Sequence, residues 1–574
     1  MRNRILLLLV SLLLAGCARV VVPTGGPKDV APPVVVKELP ESGSLFFQSK
    51  SIRITFDEFI TLNNPSENIF FSPPLQVQPD FTTAGKSVII RIYDTLRSNK
   101  TYNIAFSNAI KDFTEGNPLP FYQYTFSTGA YIDSFMVEGQ IINAQTTAAE
   151  ENVLVLLYDR NIDSLPLSAK PTYITKSQKN GLFTFRHVAS GEYKIFALKD
   201  INNNLIFDLP NESIAFSDSP VTAVVMPKEK RDTLSQKQTE MVRTRQAGKP
   251  FDGIKLSLFT EEDTVQRLLK PKNPNRGIYQ LIYKHPFTDF EARPLDSNTA
   301  GHTYMEYRNA AKDTVIWYFR EEVRDSLFYE VTADRSIIDT AVLLPYRAAA
   351  TQRGSRGARR EAARKLTYTV AHAGDLYEPL TLKFSYPILP VDHFSVTVIK
   401  LKKSANDTAC YHYHIPDTFV LSVPLPFPLE EKVPYLVMIK DSIFQGYDGT
   451  RNDSIEIRFN SKSEKDYGNL TMNYQVKQPG KEFIVSLLDS RDHILQTDIV
   501  SSSVQVKYFH LSPGEYRIKV IEDRNGNGKW DTGNYRKKQQ PEPIFYFDKP
   551  LSIRGYWELE ESFDLDIPKT DSTD

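Results

Sequence analysis

The chain reads as all-β, a string of antiparallel β-sandwich domains, and three observations predict this. Short segments alternate apolar and polar residues with a period of two, which puts one strand face in a core and the other in water. The composition holds 34 Phe and 29 Tyr, which suit a pleated, half-buried surface, and 36 Pro to punctuate turns. A block also recurs. Gly191-Glu192-Tyr193-Lys194-Ile195 returns as Gly514-Glu515-Tyr516-Arg517-Ile518, and Asp200, Asn202, Asn204 and Asp208 return as Asp523, Asn525, Asn527 and Asp531, all at one constant offset. A length of 574 residues predicts three to five domains.

The N-terminus has its own logic. Met1-Arg2-Asn3-Arg4 precedes an apolar run from Ile5 to Val10 and then Ser11-Leu12-Leu13-Leu14-Ala15-Gly16-Cys17, the charge, core and small-residue order of a secretory signal. The core is far shorter than the ~20 residues that span a bilayer, so residues 1–16 are expected to be cleaved as a signal peptide. Leu14-Ala15-Gly16-Cys17 resembles the lipobox of bacterial lipoproteins. That resemblance implies recognition of Leu14, Ala15 and Gly16 by the peptidase, acylation of Cys17 with palmitate-type chains, and anchoring in a membrane. Two or three chains anchor stably where one does not. Ala18 in place of an aspartate implies the outer membrane under the enterobacterial sorting pattern, and with no acidic cluster after Cys17 the periplasmic face is preferred to the cell surface. The alternative is an ordinary signal peptide with a chance cysteine.

Composition excludes some classes. With 69 basic and 70 acidic residues, the chain lacks the excess of Lys and Arg that drives nucleic-acid binding. Cys17 and Cys410 are the only cysteines, so acylation of the first leaves no intramolecular disulfide, and stability has to come from packing.

Residues 17–33, broken by Pro23, Gly25, Gly26, Pro27, Pro32 and Pro33, read as a lipid-anchored tether. Over 34–129, alternating Ile52-Arg53-Ile54-Thr55-Phe56, Val88-Ile89-Ile90-Arg91-Ile92 and Tyr102-Asn103-Ile104-Ala105-Phe106 predict strands. The order of Phe56-Asp57-Glu58, Leu96, Thr101-Tyr102, Asn108-Ala109-Ile110-Lys111-Asp112, Gly116-Asn117 and Phe126-Ser127-Thr128-Gly129 resembles the SbsA-type bacterial Ig-like domain, which implies a β-sandwich and no catalysis. Residues 132–230 carry Phe135 to Ile141, Val153 to Tyr158, Gly181 to Phe185 and Gly191 to Ala197. This arrangement resembles the transthyretin-like modules of carboxypeptidase regulatory and Cna-type proteins, and the repeat makes 466–567 a second copy.

A polar linker covers 226–249, and 245–345 is β-rich, of unknown type, with Gly277 to Tyr283 and Thr314 to Phe319 as strands. A basic linker at 346–367 carries Arg347, Arg353, Arg356, Arg359, Arg360, Arg364 and Lys365, and reads as a solvated loop. Residues 368–461 alternate again, in Leu380 to Phe384, Phe394 to Val398, Tyr435 to Ile439 and Ile455 to Phe459, and form a second Ig-like sandwich.

The repeated loops are the candidate metal sites. Asp523, Asn525, Asn527 and Asp531 present side-chain oxygens at positions 1, 3, 5 and 9, with the Lys529 carbonyl between, a hard-oxygen set suited to structural calcium. The earlier copy, Asp200, Asn202, Asn204, the Ile206 carbonyl and Asp208, lacks glycine and is the weaker candidate. Neither has a glutamate at the twelfth position, where Asn211 and Asn534 fall, and the alternative is a turn held by Asx hydrogen bonds. Cys410, His412 and His414 would share one face of a strand, in a row and not around a point, so no metal is assigned there.

No serine elbow, Cys–His pair or phosphate loop is found, so no catalytic residue is assigned and no cofactor is expected beyond calcium. The function expected is a non-catalytic envelope lipoprotein, an interaction scaffold for an outer-membrane protein partner. The alternatives are glycan or peptidoglycan binding through Trp530 and Tyr535, and a hydrolase site within 245–365.

Overall fold

The computed structural model describes residues 29–119, 122–227, 253–335, 337–346, 365–401, 407–416, 420–478 and 480–566. The expected signal peptide, Cys17, most of the expected tether and most of both expected linkers lie outside the described residues. Half of the described residues are strand and 3% helix, as the alternation predicts. Among the described residues, no helix is long and apolar enough to cross a membrane. Two compact units form: residues 1–261 with Asp531–Pro543, and residues 262–530 with 544–574.

In the first unit, the Ig-like sandwich has a sheet ordered Val35–Leu39, Ser51–Phe56, Ser87–Arg91, Asp80–Ala84 and a second sheet of Phe70–Ser72, Thr101–Ala105 and Gln123–Ser127. Alternation sends Ile52, Ile54 and Phe56 into one core with Val88, Ile90, Tyr102, Tyr124 and Phe126, while Arg53 faces water.

The next module begins with strand Phe135–Asn143, which pairs antiparallel with Leu182–Val188 and parallel with Ile254–Thr260. Ile254–Thr260 also pairs with Ser213–Phe216, and through it the same nine-strand sheet continues to Leu154–Tyr158, which lies between Tyr173–Lys176 and Glu192–Lys199. The expected boundaries therefore change: strand Ile254–Thr260, assigned to 245–345, closes the module placed at 132–230, because its Leu256 and Leu258 fill that core. The two modules of the first unit are fastened to each other. Ser72 Oγ accepts from Ile174 N (2.8 Å) and donates to Ile174 O (3.1 Å), and Asn103 Nδ2 donates to Arg186 O at 3.2 Å.

The second unit begins with a sandwich that carries Ile278–Ile282, Thr314–Phe319 and Leu327–Ala333 around the fully buried Trp317. The β-rich region of unknown type is thus also a two-sheet sandwich, of four and three strands. Then comes a seven-strand sandwich, with Tyr368–Ala371, Leu380–Ile388 and Val420–Leu425 in one sheet and Asp407–Ile415, Val391–Lys400, Pro434–Ile439 and Ile455–Asn460 in the other. Buried Tyr386 ties it to its predecessor by donating to Phe319 O (2.6 Å) or Gly277 O (3.0 Å).

The last module repeats the topology of 135–260. Gly468–Gln475 pairs antiparallel with Val504–Leu511 and parallel with Glu558–Asp564, and Glu482–Leu488 lies between Ile494–Val500 and Gly514–Asp523. Single tyrosines carry the kinship further. Tyr193 OH donates to Ala189 O (2.8 Å) and Tyr516 OH to Ser512 O (2.6 Å).

In the sandwich at the head of the first unit Tyr102 OH accepts from Arg97 N (2.9 Å), and in the seven-strand sandwich Tyr435 OH accepts from Glu430 N (2.8 Å), a corner that pins a strand to the backbone upstream. Tyr435→Phe and Tyr102→Phe each leave that N–H without its acceptor. Each is expected to lower the unfolding free energy of its own sandwich by about 1–2 kcal/mol, read by hydrogen exchange, and to leave the other sandwich unchanged.

Candidate functional site

The first Asp/Asn loop is closed by its own hydrogen bonds. Asp200 Oδ2 accepts from Leu205 N (2.7 Å), Asn202 Oδ1 from Asn204 N (3.2 Å) and Asn204 Oδ1 from Ile206 N (2.8 Å). The amides of Asn202 and Asn204 then donate to the two carboxylate oxygens of Asp208, at 3.1 and 2.7 Å. The four predicted side chains are thus brought together, in a set of nested Asx turns.

A carboxylate that the spacing argument missed lies beneath them. Glu212, fully buried, accepts from Ile201 N through Oε1 (3.2 Å) and from Asp208 N and Leu209 N through Oε2 (3.0 and 3.1 Å). It falls one residue past the twelfth position and serves backbone donors, which is why the metal template passes over it.

The second loop repeats this plan. Asp523, almost fully buried, accepts from Gly526 N and Gly528 N (both 2.7 Å), Asn525 Oδ1 from Asn527 N (3.0 Å) and Asn527 Oδ1 from Lys529 N (2.9 Å). Gly526 and Gly528 have φ of +69° and +75°, and the first copy makes the same two left-handed turns with Asn203 (+58°) and Leu205 (+64°). The missing glycines therefore do not give the first loop a different backbone. Asp531 lies in the other compact unit, where its N–H donates to buried Glu542 Oε2 at 3.0 Å, the counterpart of the Asp208–Glu212 bond. Among the described residues, no group of three or more His, Cys, Asp or Glu side chains is arranged to hold a metal ion.

Asp531–Pro543 is the unexpected part of the first unit. Tyr535 is buried with its ring edge-on to Phe196 (5.7 Å), Phe207 (6.2 Å) and Phe216 (5.3 Å), and its hydroxyl donates to Asp163 O. Burial pushes that phenol well above its usual range. Around it, Tyr535 N donates to Glu261 Oε1 (2.6 Å), Thr532 Oγ1 to Thr260 O (2.8 Å) and Gln540 Nε2 to Phe216 O (3.0 Å). Hydrogen bonds from Lys538 and Lys194 hold the Asp163 carboxyl below its ordinary range. Gly533 permits the approach, since a Cβ there would sit 2.6 Å from the Phe259 ring. Tyr535 is therefore core, not an exposed platform for a sugar, and Trp530 is half-buried.

The strand Asp407–Ile415 alternates as expected, with Cys410, His412 and His414 outward and Tyr411 and Tyr413 packed inward. His412 pairs with Ser395 Oγ (3.0 Å) and stacks on His393 at 4.9 Å. In the region assigned to a hydrolase alternative, His302 lies edge-on to Phe319 at 6.1 Å.

No curated protein matches the chain. Among solved structures, Escherichia coli α2-macroglobulin spanning domains MG0-NIE-MG1 is 13% identical, with 50% of this chain and 97% of that one covered and a TM-score of 0.19. The Bacillus cereus major pilin BcpA is 8% identical, covering 75% and 98%, and domains 1–6 of the surface-layer protein SbsC are 11% identical, covering 91% and 67%, both with a TM-score of 0.13. At that level none of them bears on function. The bacterial Ig-like domain family matches residues 29–128, the sandwich at the head of the first unit, so the chain contains a bacterial Ig-like domain.

Proposed function

We propose that this protein is a lipid-anchored envelope scaffold, held in the outer membrane through Cys17 with its sandwiches on the periplasmic face, and that it serves a protein partner there instead of catalysing a reaction. The observation that supports the reading is the coupling of sandwiches within each unit: Ser72 bonds Ile174 in one and Tyr386 bonds Phe319 in the other, so that neighbouring sandwiches join into larger bodies of β-structure. Such bodies present edge strands and loops at fixed spacing, which suits holding a partner. Cys17→Ser is expected to abolish acyl labelling and to move the protein from the membrane to the soluble envelope fraction. Retention of the variant in the membrane would contradict the lipid anchor.

For the Asp/Asn loops the role is structural, with calcium as the ligand proposed for Asp523, Asn525, Asn527 and the Lys529 carbonyl, and less strongly for Asp200 to Asp208. Millimolar calcium is expected to raise the melting temperature of the wild type and not that of Asp523→Asn. No shift in the wild type would assign the loops to Asx hydrogen bonds alone.

A further inference from the structure

The end of the Ig-like sandwich from which the tether leaves carries an exposed aromatic pair. Phe113 is 73% and Phe59 60% exposed, and Phe113 N donates to Phe59 O at 2.9 Å, so the two sit on adjacent loops. Lys86 lies over the Phe59 ring at 5.8 Å, with its Nζ donating at Asp57 O. Asn117, at the end of the Phe113 loop, donates through Nδ2 to Asp29 O (3.1 Å), and Val34 N donates to Asp57 Oδ1 (2.8 Å). Val30, 79% exposed, follows directly. The loops that carry Phe59 and Phe113 are therefore tied to each other and to the segment Asp29–Val34, which holds Val30.

The chain between Cys17 and Asp29 can span at most about 40 Å fully extended, close to the ~35 Å diameter of a 100-residue domain. A sandwich anchored by Cys17 can therefore bring this end, where the chain enters it, to the bilayer. We propose that the face formed by Phe59, Phe113 and Val30 docks on the bilayer that holds the Cys17 lipid, with both phenylalanines in the headgroup layer. Exposed aromatic side chains gain by entering that layer, and a covalent lipid supplies the local concentration that two rings alone lack. Carboxylates face the same region: Glu58 is pushed up by desolvation and by Asp112, Asp57, Asp29 and Glu115. The match is therefore to zwitterionic headgroups and not to a strongly anionic surface.

This inference rests on the lipid anchor proposed above, and the experiment separates the two. The acylated chain carrying Thr114→Cys in a Cys410→Ser background is labelled with a nitroxide and reconstituted on phosphatidylcholine–phosphatidylethanolamine vesicles. Collision rates are read with oxygen and with a water-soluble nickel complex. Docking predicts a severalfold higher oxygen-to-nickel ratio than for the same label on the unacylated Cys17→Ser chain in solution. Adding Phe59→Ser and Phe113→Ser, both at exposed positions, returns the ratio to the solution value while the protein still floats with the vesicles. A label as open to nickel as in solution, on protein that floats, overturns the docking and leaves the anchor standing. A label shielded from both reagents in proportion to protein density overturns it in favour of a second copy covering the rings. Protein that neither floats nor carries acyl mass overturns the anchor and the docking together.

Discussion

Tyr535→Ala is expected to destabilise the module that spans Phe135 to Thr260 by about 3–5 kcal/mol, although the residue lies far along the chain from everything it touches. The ring fills a space bounded by Phe196, Phe207 and Phe216, and its truncation also removes the hydrogen bond to Asp163 O. A single domain is held by about 5–15 kcal/mol in total, so such a loss is a large fraction of the whole. Because a chain of two units does not unfold in one step, a global melting curve is the wrong readout. Hydrogen exchange resolved along the chain is the right one, and protection of Glu192–Lys199, Ser213–Phe216 and Ile254–Thr260 should fall by roughly two to four orders of magnitude. Tyr535→Phe keeps the ring contacts and should cost only about 1 kcal/mol. Exchange changes confined to Asp531–Pro543 would mean that the segment rests on the module without completing it.

Glu212→Gln carries the second large effect. The two carboxylate oxygens accept three backbone N–H groups, from Ile201, Asp208 and Leu209, at a fully buried site. An amide in its place turns an NH2 group toward at least one of those donors, so a buried N–H loses its acceptor and meets another donor. The expected cost is about 2–4 kcal/mol, read as faster exchange across Asp200–Glu212. Unchanged exchange there would show that the loop holds its shape through Asp200, Asn202, Asn204 and Asp208 alone.

These two residues mark where sequence reading reached its limit. Alternation found the strands, because a face buried against a second sheet has to repeat every two residues: Ile52, Ile54 and Phe56 point inward as their spacing demands. The constant offset between the two Asp/Asn loops was legible for a similar reason, since one topology, including the parallel pair that closes each module, builds both copies. The row of Cys410, His412 and His414 fell on one outer face as its spacing requires.

What stayed hidden is non-local. Ile254–Thr260 reads as an ordinary strand, and nothing within it says that its partners are Phe135–Asn143 and Ser213–Phe216 and not the strands that follow it. Tyr535 reads as an aromatic beside a polar loop, and only the packed structure shows the pocket of Phe196, Phe207 and Phe216 that receives it. Glu212 and Glu542 escaped because they stand at different distances from the aspartates they support: the second copy inserts the Tyr535 segment between Asp531 and Glu542. A spacing template cannot absorb an insertion, whereas the hydrogen bond to the aspartate N–H survives it.

The scaffold reading is tested most directly by crosslinking cells that express the tagged, natively acylated chain, purifying it in mild detergent, and quantifying what accompanies it against a Cys17→Ser control. The account predicts one outer-membrane protein recovered in stoichiometric amount with the acylated chain and lost with Cys17→Ser. Recovery of the acylated chain alone, with no component enriched over the control, would contradict it.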